Sequence, residues 1–401
     1  MWKRNLYIIW GAELVAIAGF SVVSPFLPFF IQELGITGEG EVELWSGLLF
    51  SGQAVAMTVV APIWGSLADR YGRKLMVERA MFGGAVIIAL MALVQNVWQL
   101  ALLRIMQGFL TGTVAAATTL VAAATPRDRS GYALGMLQTA VWVGASVGPL
   151  IGGFVADAWG YRATFVVTGA LLFIAGLTVW RGVGEHFQPV QRAEGAVREG
   201  VWHGLVLVLR DRGLVSIFSI RVISNLASRF ILPTLPLFIQ SLLPPTARVA
   251  SITGLVNGVT AATSAAGALT IGRASDRIGY RRVLVVCSVL AGLVYVPQFF
   301  VQSAWSLLFW QASLGLVMSG VLAALSALLA NLAPEGRQGA VYGVDTSAVS
   351  LANTIGPMAG ASIAAAFGLR LPFLLAAAVF GLSAVLAWFL VPPKAGAASN
   401  R

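Results

Sequence analysis

The sequence predicts an all-α membrane protein in which twelve transmembrane helices form two pseudo-symmetric six-helix bundles. Hydrophobic residues make up 58% of the chain and charged residues only 10%, whereas soluble proteins carry about a quarter charged residues. Long apolar runs alternate with short polar segments along the chain. Patterns of the first half recur 208 positions later, which predicts one unit used twice.

Each predicted span has roughly 20 or more mostly apolar residues, enough to cross the hydrocarbon core of a bilayer. The first run begins close to Met1 and is too long for the core of a signal peptide, so we expect a retained helix. Trp98 and Trp305 lie near predicted helix ends, as in the aromatic belts of membrane interfaces. The spans run over 5–31, 45–67, 75–94, 97–122, 132–157, 162–182, 213–242, 249–272, 282–301, 304–330, 338–366 and 370–391.

The basic residues predict the orientation of the chain. With Met1 in the cytoplasm, twenty Lys and Arg residues fall on the cytoplasmic side and three on the other, namely Arg162, Arg248 and Arg370. Cytoplasmic loops of membrane proteins carry such an excess. We therefore expect both termini in the cytoplasm, and we attribute the net charge of +10 to membrane topology rather than to nucleic-acid binding.

The two halves match at one fixed offset. The matched pairs are Pro25 with Pro233, Pro126 with Pro334, Arg129 with Arg337, Gly148-Pro149 with Gly356-Pro357, and Arg162 with Arg370. A constant offset across six spans predicts two bundles of the same orientation, related by an axis along the membrane normal. We expect these bundles over 1–182 and 213–401, joined by a cytoplasmic linker over 183–212 that contains both histidines.

A charged loop from Gly65 to Lys74 follows the second predicted span. Gly65 allows a helix end to approach a neighbour closely, Gly72 permits a tight turn, and Asp69 can accept hydrogen bonds from a nearby helix N-terminus. The positive-inside rule explains the basic residues alone, but not the aspartate with its paired glycines. We interpret the loop and its degraded copy over 272–282 as a conformational latch, formed by Gly65, Asp69, Arg70, Gly72, Arg73, Asp276 and Arg277.

Two parallel six-helix repeats with such a loop resemble the major facilitator superfamily. The loop fits the superfamily signature G-x-L-a-D-R-x-G-R-[KR] at each defined position, and the resemblance covers nearly the whole chain. Segments 2–6, 25–28, 129–153 and 187–190 look like bacterial multidrug efflux pumps of the drug:proton antiporter branch. The resemblance implies the major facilitator fold and a secondary active transporter that exports amphipathic small molecules in exchange for protons by alternating access.

Glycines at 144, 148 and 152 leave one smooth face on the fifth predicted span for close packing, and Pro149 bends the helix. With Gly153, the run resembles the signature G-x-x-x-G-P-x-x-G-G of proton-coupled exporters in the superfamily. Ordinary small-residue packing would account for the spaced glycines. The added proline and Gly153 favour the exporter interpretation.

Arg104 lies in the fourth predicted span, three residues before Gln107. An arginine within a span costs at least about 2.5 kcal/mol on insertion scales, so it should face a partner or water. Arg104, Gln107 and Gly108 resemble the R-x-x-Q-G pattern of the superfamily, which implies a role in proton coupling. Alternatively, Arg104 lies near enough to the helix end to extend to the interface.

Two acidic residues, Glu13 and Asp345, fall well inside predicted spans. A proton-driven transporter needs a buried group that gains and loses a proton, so both are candidates for proton coupling, together with Arg104 and Arg221. The offset relates Glu13 to Arg221, which predicts opposite charges at equivalent depth. We hypothesise that Arg221 holds Glu13 ionised in one conformation; the alternative is structural pairing within each half.

Polar and aromatic residues inside the spans are candidates for a substrate cavity. They are Glu13, Gln107, Trp142, Arg221, Asn225, Arg229, Gln311 and Asn353, with Gln53, Gln138 and Asn257 as further members. Three embedded arginines against two embedded acids leave an alternative cargo open, an anionic or zwitterionic lipid-like amphiphile.

The sequence predicts neither an enzyme nor a cofactor. Both histidines lie without metal-ligand partners, Cys287 lies in an apolar run, and no phosphate-binding G-x-x-x-x-G-K-[ST] occurs. We expect amphipathic small molecules, protons and the lipid bilayer as partners. We further expect a monomer in the bacterial plasma membrane.

Overall fold

A computed structural model describes residues 2–38, 40–126, 129–185, 208–209, 211–333 and 338–391. These residues form α-helices with short connections and one 3₁₀ segment, Ser24–Phe26. The α-helices are α1 Trp2–Val23, α2 Leu27–Glu33, α3 Glu41–Tyr71, α4 Arg73–Met91, α5 Val97–Leu110, α6 Thr113–Ala124, α7 Ser130–Trp159, α8 Tyr161–Gly182, α9 Arg212–Phe230, α10 Leu235–Ser241, α11 Val249–Ile278, α12 Tyr280–Phe300, α13 Ala304–Leu332, α14 Gln338–Phe367 and α15 Leu371–Leu390.

Ten helical segments of the described chain are long and apolar enough to cross a membrane, judged by length and composition. Three of them combine two helices each: Trp2–Glu33, Val97–Ala124 and Gly213–Ser241. The two remaining predicted spans, 75–94 and 338–366, correspond to α4 and α14. Both are more polar, because α4 begins with several charged residues and α14 carries Asp345 within a run rich in small residues. The all-α membrane fold is confirmed.

The repeat in the sequence is also a repeat in packing. Phe30 lies against Phe165, with ring centroids 4.8 Å apart and an interplanar angle of 56°. The residues 208 positions later, Phe238 and Phe373, lie 5.0 Å apart at the same angle. Sequence matching therefore selects residues that occupy equivalent places in the two halves.

The chain divides into two compact units, Met1–Ala193 with Ile239–Gly258, and Glu194–Phe238 with Val259–Arg401. The first unit includes the start of α11, because this segment packs against α7. A Cβ atom on Gly254 would contact the carbonyl oxygen of Pro149. The predicted bundles instead divide the chain at 182 and 213, and that division stays a prediction.

Several predictions concern residues that the structure does not describe. Most of the predicted linker over 183–212 lies outside the described residues. Segment 187–190, which contributes to the family resemblance, lies there too, as do the repeat partners Pro334 and Arg337.

Candidate functional site

Glu13 lies on α1 and is fully buried. Its Oε1 accepts a hydrogen bond from Thr113 Oγ1 at 3.1 Å, and its Oε2 has no hydrogen-bond partner among the described residues. A buried charge without an opposite charge beside it is costly. The site therefore has the character required of a carboxyl group that takes up a proton.

Thr113, the hydrogen-bond partner of Glu13, lies where the helix of the fourth predicted span is interrupted. α5 ends at Leu110 and α6 begins at Thr113, so the span consists of two helices. Gly112 joins them with φ = +123°, a conformation that favours glycine. No sequence pattern marked Thr113 as functional, although three polar or small residues interrupt the apolar run here.

Arg104 lies on α5 in the same unit as Glu13, with only 5% of its surface exposed. Its Nη1 donates hydrogen bonds to Gln53 Oε1 at 3.1 Å and to Gln107 Oε1 at 3.0 Å. These acceptors are neutral amides, and the Nε and Nη2 atoms have no partner among the described residues. The burial argues against an arginine that extends to the interface.

Arg221 on α9 is paired with Asp345 on α14, both within the second unit. Nη2 donates to Oδ2 at 2.9 Å, and Nε lies 2.7 Å from Oδ1. Nη1 donates to Ser326 Oγ on α13 at 3.2 Å. The structure thus joins two of the predicted coupling residues, and it matches the alternative of charge pairing within one half. The hypothesis that Arg221 holds Glu13 ionised stays a prediction.

Two further cavity candidates lie on α9. Asn225 is buried and donates from Nδ2 to the carbonyl oxygen of Arg221 at 2.8 Å, one turn earlier in the same helix. Arg229 has no carboxylate partner among the described residues, and its Nε lacks an acceptor. Its Cβ atom lies against Gly356 of α14, so the position of Arg229 is set by the close packing of α9 and α14.

The remaining cavity candidates differ in what they contact. Gln311 on α13 is buried and donates to Gln298 Oε1 on α12 at 3.0 Å, so it joins two helices of its own unit. Trp142 on α7 and Asn353 on α14 are half-buried, which leaves part of each side chain accessible. Whether they contact substrate stays a prediction.

The glycines of α7 form a contact surface. A Cβ atom on Gly144, Gly148 or Gly152 would lie closer than 3.0 Å to atoms of α1 or of the segment that follows it. One on Gly153 would lie 2.6 Å from the carbonyl oxygen of Ala250 at the start of α11. The motif therefore packs α7 against two helices, one of which carries Glu13.

Equivalent glycines make the same contacts in the second unit. Cβ atoms on Gly356 and Gly360 would meet Arg229 and Phe230 of α9. The contacts found 208 positions earlier join Gly148 to Ser21 and Gly152 to Val22. Close packing of the first helix of each repeat against the fifth is thus common to both repeats, whereas Gly153 contributes a contact specific to the first.

The charged loop between α3 and α4 turns at Gly72, where φ is +104°. Its copy turns at Gly279 with φ = +97°. Asp69 and Arg70 are exposed, and Asp69 has no hydrogen bond or ion pair among the described residues. The close approach expected at Gly65 is not made in this structure, because an added Cβ atom would meet no described atom within 4 Å.

A different carboxylate occupies the helix N-terminus at this loop. Glu185, just after α8, accepts hydrogen bonds from the backbone N–H groups of Arg73 at 3.0 Å and Lys74 at 2.9 Å. In the copy, Asp276 accepts a hydrogen bond from the Tyr280 hydroxyl at 2.8 Å, and Arg277 is exposed. The role expected of Asp69 at a helix N-terminus is thus filled by Glu185 in this arrangement.

The described residues offer charges rather than metal ligands. No group of three or more His, Cys, Asp or Glu residues among them could hold a metal ion. Cys287 is buried in α12 as a free thiol. Glu13 and Asp345 carry carboxyl groups, which can bind and release protons, and Arg104 and Arg221 carry guanidinium groups, which attract anions.

Comparisons with known proteins agree with this architecture. A family model described as the Major Facilitator Superfamily matches residues 9–243 and 217–401. The chain is 38% identical over 403 residues to a protein named multidrug resistance protein MdtG from Dickeya zeae, covering 100% of this chain and 96% of that protein. It is 36% identical over 389 residues to the protein of the same name from Salmonella typhimurium, covering 96% and 95%.

Solved structures share the fold at lower identity. A bacterial homolog of the human lysosomal transporter Spinster, inward-facing and unoccupied, matches with a TM-score of 0.79 and 15% identity over 97% of both chains. A D-xylose–proton symporter matches with a TM-score of 0.76 and 16% identity, over 97% of this chain and 98% of the other. At such identities the likeness concerns the fold alone.

Proposed function

We propose that this chain, which belongs to the Major Facilitator Superfamily, is a multidrug efflux transporter that exchanges amphipathic small molecules for protons. Full-length relatives named multidrug resistance proteins support this cargo class. Two repeated bundles suit alternating access, in which one bundle moves against the other around a central site. We place the transporter in the bacterial plasma membrane as a monomer with both termini in the cytoplasm, bundles over 1–182 and 213–401, and a linker over 183–212.

One observation supports the proposal of proton coupling: Glu13 is fully buried, and its hydrogen-bond partner is a neutral hydroxyl group. A carboxyl group at this place has two ways to avoid an isolated charge: it binds a proton, or it lies beside a cationic cargo. The two ligands then exclude each other. Competition for one negative charge converts proton entry into cargo release, which is antiport.

The ion pair of the second unit offers a second exchangeable charge. Protonation of Asp345 would remove the negative charge that pairs with Arg221. The guanidinium group of Arg221 could then bind another acceptor. Glu13, its equivalent in the first repeat, is the acceptor that we propose for another conformation. Arg104 completes the set as a cation held by amides, which leaves its charge available to an incoming anion.

Glu13→Gln tests the coupling, because glutamine keeps the shape of the side chain but cannot titrate. Purified wild-type and variant proteins are placed in liposomes, and ethidium-driven proton movement is recorded with and without a protonophore. Glu33→Gln is the matched control, since Glu33 lies in the same span but is exposed and 3.3 Å from Arg162. We expect coupled exchange to be lost in Glu13→Gln alone; unchanged exchange would rule out Glu13 as the coupling group.

Two arginines inside predicted spans, Arg104 and Arg229, have no carboxylate partner among the described residues, and they favour a second cargo class. Unneutralised guanidinium groups suit an anionic or zwitterionic amphiphile, such as a lipid. A transport panel that compares ethidium with anionic lipids separates the two classes. Saturable ethidium export without movement of anionic lipid would exclude this alternative.

The exposed loop residues suit a latch that engages in another conformation. Gly72 supplies the turn, and Asp69, Arg70, Asp276 and Arg277 carry charges at the surface. We propose that these charges form contacts when the transporter opens outward. The packing surface of α7 would keep α1 in register during that motion.

A further inference from the structure

The break between α5 and α6 lies beside Glu13. Thr113 is the first residue of α6, is 3% exposed, and directs its hydroxyl group to Glu13 Oε1. The first N–H groups of a helix have no intrahelical acceptor, and they give that end a partial positive charge. The second carboxylate oxygen of Glu13 is buried and has no hydrogen-bond partner among the described residues. A carboxyl group with one unpartnered oxygen therefore lies beside a helix end that favours anions.

The helices packed against α1 near Glu13 bring no basic side chain to the middle of the span. α6, α7 and α8 are its neighbours, and α6 contains no ionisable residue. Those of the other two helices lie near their ends: Tyr132, Asp157, Tyr161, Arg162 and Arg181. Arg104, on the other side of the break, is held by Gln53 and Gln107. In this conformation, the end of α6 is thus the source of positive potential that these described neighbouring helices offer to Glu13.

The second repeat provides an internal control. Gly320 is the equivalent of Gly112, but it lies within α13, which continues without a break from Ala304 to Leu332. The equivalent of Thr113 is Val321, which has no hydroxyl group. The equivalent of Glu13 is a cation, Arg221, which has a carboxylate partner of its own. Of these two described helix pairs, the broken helix belongs to the repeat that carries Glu13.

We propose that Thr113 and the first turn of α6 form the counter-charge of ionised Glu13, so that a helix break sets the pH at which the transporter exchanges its proton. Thr113 is then a positioning residue, which acts through the carboxyl group. The inference rests on the proposed function, in which Glu13 binds the coupling proton. It adds that the helix break tunes the affinity of that proton.

Two substitutions of Thr113 separate the effect of its hydroxyl group from the effect of its packing. Thr113→Val keeps the branched shape but removes the donor, whereas Thr113→Ser keeps the donor. Infrared spectroscopy of the purified full-length protein follows the C=O band of protonated carboxyl groups as the pH is varied. Glu13→Gln identifies the band that belongs to Glu13. This readout needs no cargo, and a purely structural role of Thr113 would not move it.

We expect the midpoint of this band in Thr113→Val to move to higher pH by about one unit, since the ionised form loses a donor. Thr113→Ser should keep the wild-type midpoint. An unchanged midpoint in Thr113→Val, while Glu13→Gln abolishes proton exchange, would overturn the inference and leave the proposed function intact. A spectrum in which Glu13→Gln removes no titrating band would instead overturn both.

Discussion

Gly148→Ala tests whether the glycines of α7 set the position of the helix that carries Glu13. The new Cβ atom would lie 2.6 Å from Ser21 Cβ and against the carbonyl oxygen of Ala18. A backbone carbonyl cannot rotate aside as a flexible side chain can, so α1 and α7 would have to separate. We expect lower thermal stability and slower exchange.

The size of the effect follows from the kind of contact. Adding a methyl group to a tightly packed interface costs typically about 1–3 kcal/mol. Gly135→Ala on the same helix is the control, because its Cβ atom would meet no described atom within 4 Å. Replacing a glycine inside a helix where there is room stabilises by roughly 0.4–1 kcal/mol.

Thermal unfolding of both purified variants in detergent, followed by efflux of ethidium from cells, measures these effects. Gly148→Ala should unfold at a lower temperature than the wild type, and Gly135→Ala at the same or a higher temperature. Equal unfolding temperatures for the two variants would refute the argument that close packing requires glycine at 148. Reduced stability with normal efflux would show that the position of α1 tolerates this separation.

Two further predictions concern the charged groups. Arg221→Met or Asp345→Leu alone should destabilise by about 3–5 kcal/mol, because each leaves a charge of this largely buried pair without its partner, while the two substitutions combined should cost less than either. A double-mutant cycle of unfolding temperatures measures this, and additive effects would contradict it. Asp69→Asn should slow ethidium efflux but leave the affinity of the purified protein for ethidium near that of the wild type. The reason is that the latch acts on the change between conformations and not on the binding site. Loss of ethidium binding would contradict the latch.

Much of the fold could be predicted because the signals are local or periodic. Apolar length predicts spans, since a bilayer requires about 20 apolar residues in succession. The offset of 208 residues predicts equivalent contacts, and the rings of Phe30 and Phe238 meet equivalent partners. Spaced glycines predict a packing face, and Gly144, Gly148 and Gly152 lie on the face that meets α1 and the segment after it.

The candidate site could be predicted only in part. Residue type and position within a span identify four embedded charges as candidates: Glu13, Arg104, Arg221 and Asp345. Charged side chains are costly inside a membrane, so each is a hypothesis for a functional role. The partner of each charge depends on distances between helices that are far apart in the chain. The repeat symmetry suggested Glu13 as the partner of Arg221. In the structure, Arg221 instead pairs with Asp345, 124 positions further along the chain.

The sequence by itself determined the class of the protein, its repeat and its inventory of embedded charges, because composition and spacing act along the chain. Tertiary structure alone decided that Gly112 lies between two helices while its equivalent, Gly320, lies inside one. Glycine permits both conformations, and the surroundings choose between them. The same surroundings bring Thr113 to Glu13 across 100 positions, a contact that no local pattern specifies.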